Sequence, residues 1–162
     1  TGQFASRWRG NESLFAFFDW LARLVLSDDL AGLAARFAVA LILLVMLFVA
    51  VRRDAPPAAA IRALVWAVLL LSPQVHPWYL AWLLPLEVAA GGRAGLVWSG
   101  AILCAYAPLD RWLAQGVWEM PLGLRILEYG LVFLALLLDP RRPSLLGDAG
   151  EHHFSNSSSA LA

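Results

Sequence analysis

The side chains best suited to chemistry in this chain of 162 residues gather in Ser72–Leu84, SPQVHPWYLAWLL. Pro73 and Pro77 interrupt regular backbone on either side, because proline lacks an amide donor and fixes φ. The turn between them displays Gln74 and His76. An imidazole there can donate to or accept from a phosphate group, or carry charge beside one. Tyr79 adds a phenol that can bind a phosphate or a sugar hydroxyl. Trp78, Tyr79 and Trp82 would serve equally well in an aromatic belt at a membrane surface. Further along, Arg125 precedes Glu128 by three residues. The planar fork of arginine matches phosphate oxygens, although at this spacing the two charges could also neutralise each other. The leading run Arg7-Trp8-Arg9 sets two cations around an indole. It offers a surface for a lipid phosphate or a sugar face, or an anchor to anionic headgroups.

Other ionisable groups have simpler readings. Arg36 and Arg62 lie about one turn from the ends of apolar stretches and can snorkel. Glu87, close to Pro85, suits a solvated or helix-capping role. Glu12, Asp110 and Glu119 are acidic, but no motif makes any of them a catalytic base. The pair His152–His153 sits in a serine-rich tail with no further ligand at metal-binding spacing. Phosphate-loop, dinucleotide, HExxH and nucleophile-elbow motifs are all missing from the sequence.

The elements that position these groups follow from composition. Hydrophobic residues make up 60% and charged residues 15% of the chain, against about 45–50% and 25% in soluble domains. Lipid is therefore the expected solvent. A formal net charge of zero argues against a nucleic-acid partner, and the one cysteine, Cys104, against a disulfide scaffold. The twelve basic residues are all arginine, which suggests GC-rich coding and a bacterial source.

The reading is an all-α, polytopic transmembrane helix bundle. Its spans are expected at Ala31–Val51, Ala58–Ser72, Trp78–Ala90, Ala94–Leu109 and Leu122–Leu138. Only the first reaches the ~20 residues of a standard span, so four spans with a re-entrant pair is an alternative. Before them, Asn11–Leu26 has Asn11 as a plausible N-cap and apolar residues at helical spacing. Asp19 and Arg23 share the other face, four apart. This predicts an interfacial amphipathic helix, or a short packed helix ahead of the first span. The chain thus divides into a loop and interfacial helix over 1–30, a bundle over 31–139 and a disordered tail over 140–162. Thr1–Gly10 lacks the regions of a signal peptide and reads as the continuation of a longer polytopic protein.

Arginine placement orients the bundle. Arg52, Arg53, Arg93, Arg141 and Arg142 would share the cytoplasmic face and Arg111 the opposite one; Arg7, Arg9 and Arg23 add to the minority side. His76 then falls on the extracytoplasmic face of a bacterial plasma membrane. The ionisable candidates cluster at that outer rim, which favours a surface site over a path through the bilayer.

On three segments the sequence resembles a known family. LSPQVHPWYLAWLLPL, WRGNESLF (Trp8–Phe15) and LRILEY (Leu124–Tyr129) look like the C-terminal half of bacterial membrane glycosyltransferases of the GT-C type. The polyprenyl-phosphate-mannose-dependent mannosyltransferases are the nearest in kind. The resemblance implies inverting transfer of a sugar from a lipid-phosphate donor to a glycan or glycolipid acceptor, on the outer face of the membrane. It implies no metal and no cofactor beyond the donor, and a general base in an upstream loop that no segment here matches. The alternative function is a transporter or channel subunit with an ionisable path through His76, Arg125 and Glu128.

Overall fold

The computed structural model describes residues 11–116 and 120–140, and among them it is helical without a strand. Seven α-helices follow one another: α1 Leu14–Arg23, α2 Asp28–Arg52, α3 Pro57–Leu71, α4 Leu80–Ala90, α5 Ala94–Ala101, α6 Leu109–Gln115 and α7 Leu122–Leu138. Short 3₁₀ segments at Pro77–Tyr79 and Ile102–Tyr106 lead into α4 and out of α5. Most neighbours in space are neighbours in sequence: α1 lies on α2, α2 on α3, α3 on α4 and α4 on α5, while α7 closes on α5.

Local chemistry accounts for the ends of these helices. Asp28 and Asp29 open α2 and Arg52 closes it, each favourably placed against the helix dipole. Pro57 occupies the first turn of α3, where its missing N–H has no helical partner to lose. Ser72 stands before Pro73 and is already extended, with ψ 140°, because proline disfavours the helical region for its predecessor. At the end of α4, Gly91 takes φ +65° and the Gly92 N–H returns to the Glu87 carbonyl at 2.9 Å, a left-handed stop that suits glycine.

Four of the apolar stretches match α2, α3, α4 and α7 closely, whereas Ala94–Leu109 divides into α5 and a 3₁₀ segment and α6 falls in an expected break; five spans are not shown. With a rise of ~1.5 Å per residue, the 25 residues of α2 exceed a ~30 Å hydrocarbon core. Among the described residues α2 is the one helix long and apolar enough to cross a membrane. The others are cut short. Pro77 and a 3₁₀ turn leave 11 residues for α4, and the 3₁₀ segment after Ala101 leaves 8 for α5; α3 has 15 and α7 has 17.

The two N-terminal helices expose many large apolar residues. Leu33, Phe37, Leu41, Leu44, Phe48 and Val51 of α2 are exposed, while alanines at 31, 35 and 50 make its buried contacts. In α1 the buried residues are Phe15 and Asp19, whereas Phe17, Trp20 and Leu21 face outward. Arg23 pairs with Asp19 at 2.7 Å, as the spacing predicts, and also meets Asp28. Asp19 and Phe15 of α1 are therefore tucked against the protein, while Arg23 and the apolar residues Phe17, Trp20 and Leu21 face out. Asn11 does not cap this helix. Ser13 holds the N-cap position, and Asn11 sits at φ +52° with its side chain committed elsewhere.

Candidate functional site

Two stacked indoles form the middle of the core. Trp66 of α3 and Trp98 of α5 have ring centroids 5.3 Å apart and planes 22° from parallel, and Leu69, Leu83, Ile102 and Val132 belong to the same buried cluster. Their N–H groups serve two different carboxylates. Trp66 Nε1 donates to Glu87 Oε1 at 2.8 Å, and Trp98 Nε1 donates to Glu128 Oε1 at 3.1 Å. Both glutamates are fully buried.

Glu87 belongs to a closed polar centre where α3, α4 and α5 meet. Its Oε1 also accepts from Arg62 Nε at 2.5 Å, and Oε2 accepts from the Gly95 N–H at 3.1 Å. Glu87 does cap a helix, but that helix is α5 and not its own, and it is not solvated. Arg62 is likewise buried and paired where snorkelling was expected. Gly95 permits the approach: a Cβ there would collide with Cγ of Glu87. Nearby, Asp139 Oδ2 accepts from the N–H groups of Arg93 at 2.6 Å and Ala94 at 3.1 Å. A carboxylate at the end of α7 thus satisfies α5 donors that have no helical partner. Arg36 donates to the Gly32 carbonyl at 3.1 Å and lies over the Phe15 ring, 5.9 Å from its centroid.

Glu128 sits differently. Besides Trp98, its Oε1 accepts from Asn11 Nδ2 at 3.0 Å, and the Tyr129 hydroxyl donates to the Asn11 carbonyl at 2.6 Å. Oε2 of Glu128, Oδ1 of Asn11 and Nε of Arg125 are buried and lack hydrogen-bond partners among the described residues. Arg125 and Glu128 therefore do not satisfy each other through these atoms.

Asn11 also lines a cavity of about 280 Å³, with Gln74, His76, Trp78, Tyr106 and Trp112 among the other walls. The turn supplying Gln74 and His76 is braced locally. Ser72 Oγ donates to the Gln74 carbonyl at 2.6 Å and accepts the Gln74 N–H at 3.2 Å. His76 is extended, with ψ 149°, ahead of Pro77. Its ring stacks on Trp78 at 4.2 Å and 10°, and its Nε2 lies 2.8 Å from Gln74 Nε2. Because an amide nitrogen only donates, Nε2 is the acceptor and the imidazole proton lies on Nδ1. Burial pushes the His76 pKa below its ordinary value, in keeping with a neutral ring.

The candidates from the sequence thus separate. Gln74 and His76 share the cavity, and Glu128 is joined to it through Asn11. Tyr79 meets the edge of His76 at 5.4 Å and stacks on Trp82 at 5.4 Å, but neither it nor Arg125 lines the cavity. Arg7, Trp8 and Arg9 lie outside the described residues, as do Glu119 and the tail. Among the described residues no cluster of His, Cys, Asp or Glu could hold a metal ion. Asn11, Trp98 and Tyr106 were not legible as site residues, since only the fold brings them to Glu128 and His76. Compared with protein-family models, curated proteins and solved structures, the chain matches none.

Proposed function

We propose that this chain is a membrane-embedded sugar-lipid site: part of a glycosyltransferase that takes a polyprenyl-phosphate-linked hexose, such as mannose, on the outer face of a bacterial plasma membrane. The observation that carries the reading is the cavity walled by Trp78, Tyr106 and Trp112 and furnished with Asn11, Gln74 and His76. Apolar walls with a few convergent polar groups are the usual make-up of a small-molecule pocket. Indole and phenol faces suit the CH faces of a sugar ring, while the amides and imidazole suit its hydroxyls. The membrane part of the proposal draws on α2, on the outward apolar edge of α1 and on the exposed apolar residues of α7. In that arrangement α3 to α5 and α7 complete the crossing together, with Arg53 in the cytoplasm and Gln115 outside.

A path for protons or solutes finds less support. Such a path would run through His76, Arg125 and Glu128, yet Arg125 does not line the cavity that His76 does, and Arg125 Nε and Glu128 Oε2 have no hydrogen-bond partner among the described residues.

The test uses the chain in nanodiscs with radiolabelled polyprenyl-phosphate mannose. Saturable binding, lost when unlabelled donor is added, is the expected result. The orientation is checked with Arg53→Cys and Gln115→Cys, each in a Cys104→Ser background, labelled from either side. No saturable binding, or labelling of both positions from one side, overturns the reading.

A further inference from the structure

Two acceptor atoms bear on what the cavity can hold. Asn11 is almost wholly buried, lines the cavity and turns its Nδ2 to Glu128, so its remaining polar atom is the acceptor Oδ1, which has no partner among the described residues. The orientation is fixed chemically, since a carboxylate accepts only. Gln74, another wall residue, spends one amide N–H on His76 and keeps the second N–H as a donor and Oε1 as an acceptor. A phosphate dianion brings acceptor oxygens alone; these could answer the second N–H of Gln74 and the Nδ1–H of His76 but would leave Asn11 Oδ1 and Gln74 Oε1 facing an anion. A hydroxyl brings both a donor and an acceptor and satisfies them.

We propose that the cavity recognises the hydroxyl groups of a neutral sugar ring, and not the phosphate of a lipid carrier, with Asn11 as the residue that reads them. Glu128 acts through Asn11 as a positioning residue: it fixes the amide, and Tyr129 fixes the backbone carbonyl of the same residue. The left-handed backbone of Asn11, φ +52°, is one that asparagine tolerates better than most residues. This inference rests on the sugar-lipid reading, and divides it by assigning the ring, and not the charge, to this pocket. The ring could belong to the donor or to the acceptor glycan; both present the same hydroxyl chemistry.

The experiment measures saturation-transfer NMR signals of methyl α-mannopyranoside on the chain in nanodiscs. Inorganic phosphate, polyprenyl phosphate and polyprenyl-phosphate mannose serve as competitors. The hexoside should bind, and neither phosphate nor the unglycosylated carrier should displace it. Displacement by polyprenyl-phosphate mannose assigns the ring to the donor; simultaneous binding assigns it to the acceptor. Asn11→Gly, which keeps the left-handed backbone and removes the amide, and Gln74→Leu, on a half-buried turn, should each weaken hexoside binding about tenfold. Thermal unfolding verifies that both variants fold. Should Asn11→Gly not fold, Gln74→Leu decides the matter alone. Phosphate binding in place of the hexoside, or full hexoside affinity in a folded variant, overturns the proposal. If the glycosylated lipid binds while the hexoside does not, this inference falls and the sugar-lipid reading stands. Hexoside binding without lipid binding gives the converse.

Discussion

Glu87 and Glu128 are equally buried and each accepts a hydrogen bond from one of the same two stacked indoles, yet their surroundings differ in kind. Glu87 is answered on both oxygens by a guanidinium, an indole and a backbone N–H. Glu128 is answered on one oxygen by an indole and an amide, with the other left unpartnered. In the first arrangement both carboxylate oxygens are answered, and the atom without a hydrogen-bond partner among the described residues is Nη2 of Arg62, which is already held to Glu87 through Nε, so it reads as a structural lock between α3, α4 and α5. The second holds Asn11 at the wall of a cavity and is incompletely satisfied, as sites that receive a ligand commonly are. Burial alone does not distinguish a site from a lock. The count of partners does.

The largest effect should come from breaking the lock. Glu87→Gln keeps the shape of the side chain but leaves Arg62 charged and uncompensated in the core. Removing one partner of a buried pair typically costs about 3–5 kcal/mol. Thermal unfolding in detergent should therefore show a severe loss of folded protein. Replacing both residues, Glu87→Leu with Arg62→Met, should recover part of it, because neither charge of the pair remains, although Trp66 Nε1–H and the Gly95 N–H lose their acceptor. A Glu87→Gln variant as stable as the parent would make the two carboxylates alike and erase the comparison.

A middle-sized effect is expected where the two centres share the indole stack. Trp98→Phe preserves an aromatic partner for Trp66 but removes the donor to Glu128, and a hydrogen bond to a charged group is worth roughly 1.5–3 kcal/mol. The loss should be smaller than that of Glu87→Gln in the same unfolding experiment, since Asn11 still serves Oε1. A Trp98→Phe cost equal to that of Glu87→Gln would mean that Glu128 depends on its indole as heavily as Glu87 depends on its arginine.

Much of the framework was legible because it depends on local chemistry. Prolines at 56, 57, 73, 77 and 121 and the Gly91–Gly92 pair punctuate the apolar runs, and α7 starts and stops where its expected stretch does. The 3₁₀ segments were not visible, as they come from how α4 and α5 begin and end in their packed setting. The polar centres were hidden for another reason. Arg62 and Glu87 are 25 residues apart, and Asn11 and Glu128 are 117 apart. No spacing rule reaches across such separations, so Arg62 alone suggested snorkelling, Glu87 a solvated or capping role, Asn11 an N-cap, and Glu128 a site residue or a partner for Arg125 three residues away. Gln74 and His76 stand out in the sequence because two prolines frame them within one turn.

The smallest effect should come from Glu128→Gln, and it is the sharpest measure of the difference between the two centres. The amide oxygen can accept from Trp98 and Asn11 as Oε1 does, and Arg125, which acts on Glu128 through charge, loses a counter-charge but no ion pair of the kind that joins Arg62 to Glu87. What is lost is the extra strength of bonds to a charged acceptor. What is gained is a donor in place of an unpartnered oxygen. These oppose each other, so the expected change in stability is below about 1 kcal/mol, several-fold less than for the same substitution at 87. Sugar binding should respond more than stability does. An amide at 128 can present its NH₂ to Asn11, which removes the reason for Asn11 to point Nδ2 inward and frees it to turn over. Hexoside affinity should therefore fall while the unfolding midpoint stays nearly constant. A large stability loss with unchanged hexoside binding would reverse the assignment and make Glu128 the lock.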